Sequence, residues 1–237
     1  MSATAPTAAV PSFRSRIGCD ARSGYYAAPH RYRLHLSPSC PHCLQIAVTH
    51  TLLGLDDTLP VTVLPAAPDT PGGGHRALLP LYEATSHQHP GPPLAPVLSD
   101  DWTGRIVSSH PGDILHDLAR HFGGHGPDLL PHGAEGAIAA VGRLCERGIT
   151  LAARRGDAIG RATPHRALTV LDRRLAGREY VLHGQLTLAD IRLWSTLVHP
   201  NLADHVATHP RLSTYVRRLS AHPAFAPHLA RYSLALA

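Results

Sequence analysis

Cys40-Pro41-His42-Cys43 holds the reactive groups of this chain at a spacing with chemical meaning. If a helix begins there, the two thiols lie about one turn apart, close enough for one to attack a disulfide formed by the other. A helix start also offers unpaired backbone N–H groups and the positive end of the helix dipole, and both stabilise a thiolate. Cys40 is therefore expected to be the more acidic thiol, in the range of about 3.5 to 7.5 known for cysteines so placed, against about 8.5 for a free one. Pro41 suits the first helical position, where its missing N–H would be unpaired anyway. Cys43 falls further in and could resolve a mixed disulfide on Cys40. His42 can hydrogen-bond or carry charge beside the thiolate. The same residues could instead form a zinc half-site or an inert buried pair. Zinc wants a second Cys/His pair at ligand spacing, and Cys19 and Cys145 stand alone. No metal is expected, and the catalytic candidates are Cys40, Cys43 and His42.

The flanking residues say how these groups are held. In residues 31–37, Tyr32, Leu34 and Leu36 alternate with Arg33 and His35, the period of a half-buried strand. After the cysteines, Leu44, Ala47, Val48, Thr51 and Leu52 recur at helical spacing, and Gly54 is a natural stop. A strand thus delivers the Cys-Pro-His-Cys turn to the start of a helix.

Composition narrows the class. A chain of 237 residues with 43% hydrophobic content suits one large domain or two modest ones. Four cysteines are too few for a disulfide scaffold, and the Cys-x-x-Cys spacing points to a reducing compartment. Residues 1–12 lack the basic and apolar regions of a secretory signal, and no apolar run approaches membrane-spanning length. A cytoplasmic protein without membrane contact is expected. The formal net charge is +5, and every basic residue other than histidine is Arg. The Arg residues are scattered, with short pairs at Arg154-Arg155, Arg173-Arg174 and Arg217-Arg218, so the bias points to GC-rich coding rather than to nucleic-acid binding. His121, His125 and His132 fit no standard metal spacing.

In chain order, residues 1–30 read as an irregular lead-in. The strand–turn–helix unit follows, and residues 59–64 form a second strand, giving a right-handed βαβ unit with a parallel pair. A Pro/Gly loop over 65–74, a short helix over 78–86 and another loop over 90–93 come next. Residues 95–100 and 105–108, joined by a Gly-containing turn, read as a β-hairpin. Residues 113–122 carry the apolar stripe Ile114, Leu115, Leu118 and Phe122 of an amphipathic helix. The break at 123–127 is the expected domain boundary, giving domains over 31–123 and 124–237. The second is read as all-helical, with helices around 138–152, 167–175, 188–198 and 212–219. Thr187 and Asp190 form a capping box at the third, with Leu186 and Ile191 as its hydrophobic staple.

This arrangement resembles the glutathione transferase superfamily, most closely the xi class, the glutathionyl-hydroquinone reductases. The residues that carry the resemblance are 31–37 leading into Cys40-Pro41, then Pro96-Val97-Leu98, 104–108, and 186–194 through Leu197-Val198. It covers roughly residues 13–220 in order. It implies an α/β plus all-α fold: an N-terminal thioredoxin-like domain (βαβ–ββα) and a C-terminal helical bundle. It implies that Cys40 attacks the sulfur of a glutathionyl-hydroquinone, releases the hydroquinone, and is left as a mixed disulfide that a second glutathione resolves. Cosubstrate contacts are implied at Ala95, Pro96, Ser109 and His110, with Pro96 as a cis-proline, and a homodimer is expected.

The chain departs from the family at several of these places. The family's Cys-Pro-Trp-Ala is here Cys-Pro-His-Cys. Its Glu-Ser pair, which holds the γ-glutamyl end of glutathione, falls on His110-Pro111. Its Gly-Val-Tyr falls loosely on Gly148-Ile149-Thr150, so a quinone-binding tyrosine is lost. The expected activity is thiol transfer to, or reductive removal of a small thiol from, a quinone-like or other small electrophile, with glutathione or another low-molecular-weight thiol as cosubstrate. The alternatives are a dithiol–disulfide oxidoreductase, a thiol-assisted alkene isomerase and a non-catalytic binding protein.

Overall fold

The computed structural model describes residues 13–123, 126–150, 158–182 and 184–236. The readings made above for residues 1–12, His125, Ala152 and the Arg154-Arg155 pair lie outside the described residues. Strands β1 (Tyr32–Leu36), β2 (Val61–Val63), β3 (Val97–Asp100) and β4 (Arg105–Ser108) form one mixed sheet in the order β2-β1-β3-β4. β1 and β2 pair parallel, Leu34 opposite Val61, as the crossover through helix α1 (Pro41–Leu52) requires. β3 runs antiparallel to β1, and β4 antiparallel to β3 with a register shift between Leu98 and Ser99.

Alternation along the strands sends side chains to two cores. Tyr32, Leu34, Leu36, Leu98 and Val107 face the main core, which α1 and α3 (Pro111–Asp117) share with the helical half. Val97 and Ile106 face a smaller core with Leu64, Leu78 and Tyr82, covered by α2 (Leu79–Thr85). The architecture is therefore a thioredoxin-like α/β half followed by an all-helical half, as the resemblance implied.

The helical half holds α4 (Glu135–Arg143), α5 (Ala158–Arg174), α6 (Leu188–Leu197), α7 (Ala203–Ala207), α8 (Pro210–Ser220) and α9 (Ala226–Leu236). Two of the expected helices differ in form. The helix from 113 opens earlier, at Pro111, and changes to a π turn over Leu118–Phe122. The helix expected around 138–152 ends as regular α at Arg143 and continues as a π segment over Leu144–Thr150. Periodicity locates an apolar stripe but does not distinguish a 3.6-residue turn from a locally widened one.

The lead-in is more ordered than its composition suggests. Arg14 forms a bridge with Ser108, and Ser15 N–H donates to Val107 O at 3.1 Å, so this segment runs antiparallel along the outer edge of β4. Arg14 and Arg16 pair with Asp113 and Asp117, and Ile17 N–H donates to Asp117 Oδ2 at 2.9 Å. Behind it, buried Arg31 pairs with Asp100 at 2.9 Å. Its guanidinium lies over the rings of Tyr25, Tyr26, Tyr32 and Trp102.

A cysteine pair at the end of the sheet

Strand directions decide which loops meet. Leu36 ends β1, Val97 begins β3 opposite His35, and Ser108 ends β4 opposite Leu98. All three termini lie at one end of the sheet. The Cys40 turn, the Ala95-Pro96 step and the Ser109-His110 step therefore share that end. The Ala95-Pro96 bond is cis.

Cys40 is the N-cap of α1, in extended backbone (φ −91, ψ 121), with Pro41 in the first turn. Its N–H donates to Ser37 O at 3.2 Å and its carbonyl accepts Leu44 N–H at 3.0 Å. Ser37 and Ser39 anchor the turn to the strand β2 exit through Pro65 O at 3.2 Å and Ala66 O at 2.6 Å. Cys40 is half-buried, Cys43 is buried and the His42 side chain is exposed.

The Cys40 thiol is lowered to about 7. The largest cause is the hydrogen bond from the Cys43 thiol, opposed by burial and helped by the Cys43 and His42 backbone N–H groups. The expectation rested on the helix start alone; the structure gives the leading part to the second cysteine. Cys43 moves the other way, raised well above the ordinary thiol value by burial first and by its bond to Cys40 second. One proton is thus held on Cys43 while the charge rests on Cys40, the division a nucleophile and its donor require.

The expected outcome is selective alkylation. Brief iodoacetamide treatment at neutral pH modifies Cys40 ahead of Cys19, Cys43 and Cys145, with a rate that rises through a midpoint near 7. Because a lowered thiol pKa gives more thiolate, removing the hydrogen bond with Cys43→Ala moves that midpoint upward. Equal labelling of all four cysteines in a peptide map would contradict this.

The other sequence candidates fall as follows. Ser109 engages the lead-in: its N–H donates to Phe13 O at 2.9 Å and its hydroxyl accepts Phe13 N–H at 3.2 Å. His110 caps α3, its Nδ1 accepting Asp113 N–H at 3.2 Å, which leaves Nε2 as a free ring nitrogen for a ligand. Cys145 is buried in the helical half and its thiol is pushed up to about 12 by burial, so it stays protonated. Among the described residues no group of three or more His, Cys, Asp or Glu is arranged to hold a metal ion.

Sequence reasoning missed Tyr232. It lies on α9, which packs against α1, and its side chain is buried. Its hydroxyl has no hydrogen-bond partner among the described residues. Its pKa is raised to about 12, by burial first and then by the charge on Cys40. A buried phenol without a partner, within electrostatic reach of a thiolate, is a donor in want of an acceptor. Only the spacing of Leu229 and Tyr232, three residues apart, hints at a buried face here.

Comparison with known proteins places the architecture. The chain has the fold of the xi-class glutathione transferases. It superimposes on the xi enzyme of Phanerochaete chrysosporium with a TM-score of 0.80 at 23% identity, over 94% of this chain and 89% of that one. The xi enzyme of Saccharomyces cerevisiae in complex with glutathione gives 0.80 at 18% identity, over 95% and 92%. The glutathione transferase C-terminal domain family matches residues 158–235. By sequence the chain is similar to the glutathionyl-hydroquinone reductase PcpF of Sphingobium chlorophenolicum, 27% identical over 90% of this chain and 78% of that protein. Among the described residues, no helix of this transferase-fold protein is long and apolar enough to cross a membrane.

Proposed function

We propose that this glutathione-transferase-fold protein is a cysteine-dependent thiol transferase that reductively removes a small thiol from a quinone-like thioether. The observation that carries the reading is the half-buried Cys40 thiolate, held at a helix start by the Cys43 thiol and within electrostatic reach of Tyr232, whose hydroxyl has no partner among the described residues. The Cys40 thiolate attacks the thioether sulfur. A sulfur–sulfur bond forms and the carbon–sulfur bond breaks, with the electron pair passing to the ring carbon and on to its oxygen as an enolate. The ring reacts in its keto form, in which the carbon bearing sulfur has already taken its proton, so protonation of the enolate oxygen then gives the hydroquinone. A second thiol displaces the first from Cys40, so one thioether and one thiol become one hydroquinone and one disulfide. Tyr232 is assigned the donor role toward the ring oxygen as charge develops there. A phenol raised to about 12 keeps its proton at neutral pH and can donate it in a hydrogen bond.

The similarity to PcpF supports the quinone-like substrate class, and glutathione bound in the Saccharomyces cerevisiae structure supports a thiol cosubstrate. The protein is exposed to glutathione disulfide and to thioether hydroquinones, and intact mass and hydroquinone release are followed. A single thiol adduct on Cys40 and hydroquinone release are expected. Tyr232→Phe should lower kcat by about tenfold with the adduct still forming, because one donor to a developing oxyanion is lost. No adduct with any small disulfide, together with no release, would remove the reading. A dithiol cycle through Cys43 is the second reading, favoured by the hydrogen bond between the two sulfurs.

A further inference from the structure

Arg192 has no part in the chemistry above, yet it reaches the same end of the sheet. It projects from α6, half-buried, and lies beside the first turn of α3. A Cβ placed on Gly112 would lie 3.1 Å from His110 Cε1 and 3.8 Å from Arg192 Nη2. A Cβ placed on Gly142 of α4 would lie 2.5 Å from Arg192 Nη1, so the absence of a side chain there makes room for the guanidinium. Among the described residues the guanidinium has neither an ion pair nor a hydrogen bond. Burial lowers its pKa, with Cys145 and the exposed Glu146 acting against that shift.

The two carboxylates of α3 are already engaged. Asp113 accepts from Arg14 at 2.8 and 2.9 Å, and Arg16 and His110 stand at 3.9 and 3.3 Å from it. Asp117 is held by Arg16 and by Ile17 N–H. Pro111 supplies no N–H. With His110 Nδ1 accepting from Asp113 N–H, the ring proton is carried on Nε2, which is left as a donor. Beside the first turn of α3 the side chains left for a ligand are therefore the His110 donor and the Arg192 cation. β4 is two strands from β1, roughly 10 Å at the spacing of paired strands. This is the reach of a small thiol whose sulfur sits on Cys40.

We infer that Arg192, with His110, binds an anionic group at the end of the thiol cosubstrate remote from its sulfur, and that this position selects against an ammonium. The inference rests on the thiol-transfer reading and specifies its cosubstrate as a thiol with a carboxylate, sulfonate or phosphate tail. A guanidinium recognises such oxyanions by paired N–H bonds. An ammonium placed there meets the like charge of Arg192, while both carboxylates of α3 are already paired.

The test uses the whole protein and symmetrical disulfides of octane-chain thiols ending in a carboxylate, a hydroxyl or an ammonium. In each case the Cys40 thiolate attacks one sulfur, the disulfide bond breaks, and one free thiolate leaves. The equilibrium amount of each mixed disulfide is read by intact mass and divided by that of a reference peptide thiol. The unmodified protein should favour the carboxylate tail over the ammonium tail by about tenfold or more, the scale of a charge-assisted hydrogen bond. Arg192→Gln should bring the ratio close to that of the reference, and Arg192→Lys should keep part of the preference. Absence of preference in the unmodified protein overturns the inference whether or not the variants fold, as does a preference that survives in folded Arg192→Gln. Adducts that form without tail preference overturn this inference alone. Failure to form any adduct, the hydroxyl tail included, overturns the thiol-transfer reading and this inference with it.

Discussion

Cys40→Ser abolishes thiol transfer, by about 10^3-fold or more, while Cys43→Ser keeps most of the turnover. The first half of this expectation follows from the chemistry of the nucleophile. A serine hydroxyl in the same place is neither ionised near neutral pH nor able to form the sulfur–sulfur bond on which the cycle depends. The second half separates the two cycles. In a monothiol cycle an external thiol resolves the adduct, and the hydroxyl that Cys43→Ser introduces still donates toward Cys40, so the loss stays within about tenfold. In a dithiol cycle Cys43 must attack the adduct, and at its position its effective concentration would far exceed that of any free thiol. Cys43→Ser would then leave a stable adduct on Cys40 and no turnover at millimolar thiol. The structure gives a reason to expect the monothiol outcome. Cys43 is 2% exposed and its thiol is raised well above the ordinary value, so little of it is thiolate at neutral pH. Intact mass of the variant after one turnover, with a parallel rate measurement, decides the matter, and a trapped adduct reverses the assignment.

Asp190→Ala is expected to destabilise the fold by about 3 to 5 kcal/mol, a fall of roughly 10 °C in Tm for a chain of this size. Asp190 is fully buried at the start of α6. One carboxylate oxygen accepts Val181 N–H at 2.8 Å and the Tyr215 hydroxyl at 3.0 Å. The other accepts Thr187 N–H and the Thr187 hydroxyl, each at 3.0 Å. Burial raises its pKa, but all four donors act against that shift. Removing the carboxylate strands these donors in the interior, where each unpaired group is costly. The loss is structural, so folded Asp190→Ala at low temperature should still be alkylated at Cys40. Thermal melting followed by circular dichroism measures the first effect, and a shift under about 2 °C would contradict it.

Much of this is legible in the residues because the signals are local. The Cys-Pro-His-Cys turn lies between a strand of period two and a helix of period near four, and the structure puts β1 and α1 there. Thr187 and Asp190 announce the start of α6 within four residues. The signals that fail are weak or distant. α9 contains Ala226, Pro227 and Ala230, with exposed Leu234 and Leu236, so its buried face rests on few large side chains and gives no convincing stripe. Tyr232 is missed with it. The lead-in is ordered by Arg14 and Arg16 reaching acids about a hundred residues away, which no window of sequence can reveal. The acidity of Cys40 is anticipated but its main cause is misplaced, because a hydrogen bond between two thiols depends on side-chain geometry rather than on helix position. Arg192 reads as an ordinary helix-face arginine until Gly112 and Gly142 are brought beside it.

The lead-in along β4 has a consequence for how the sheet meets other chains. An unpaired edge strand is a template for adding a foreign strand, and proteins commonly cover or interrupt it. On the β4 side the protein's own residues 13–15 already take Val107 O and Ser109 N–H, so an incoming strand finds those groups occupied. On the β2 side Val61 and Val63 are exposed, but Pro60 and Pro65 bracket the strand and limit it to three residues. The two margins are guarded by different means, one by the chain's own backbone and the other by imino acids that break any longer ladder. Both lateral edges of the sheet thus resist polymerisation, which leaves its Cys40 end as the part of the sheet free to serve small molecules.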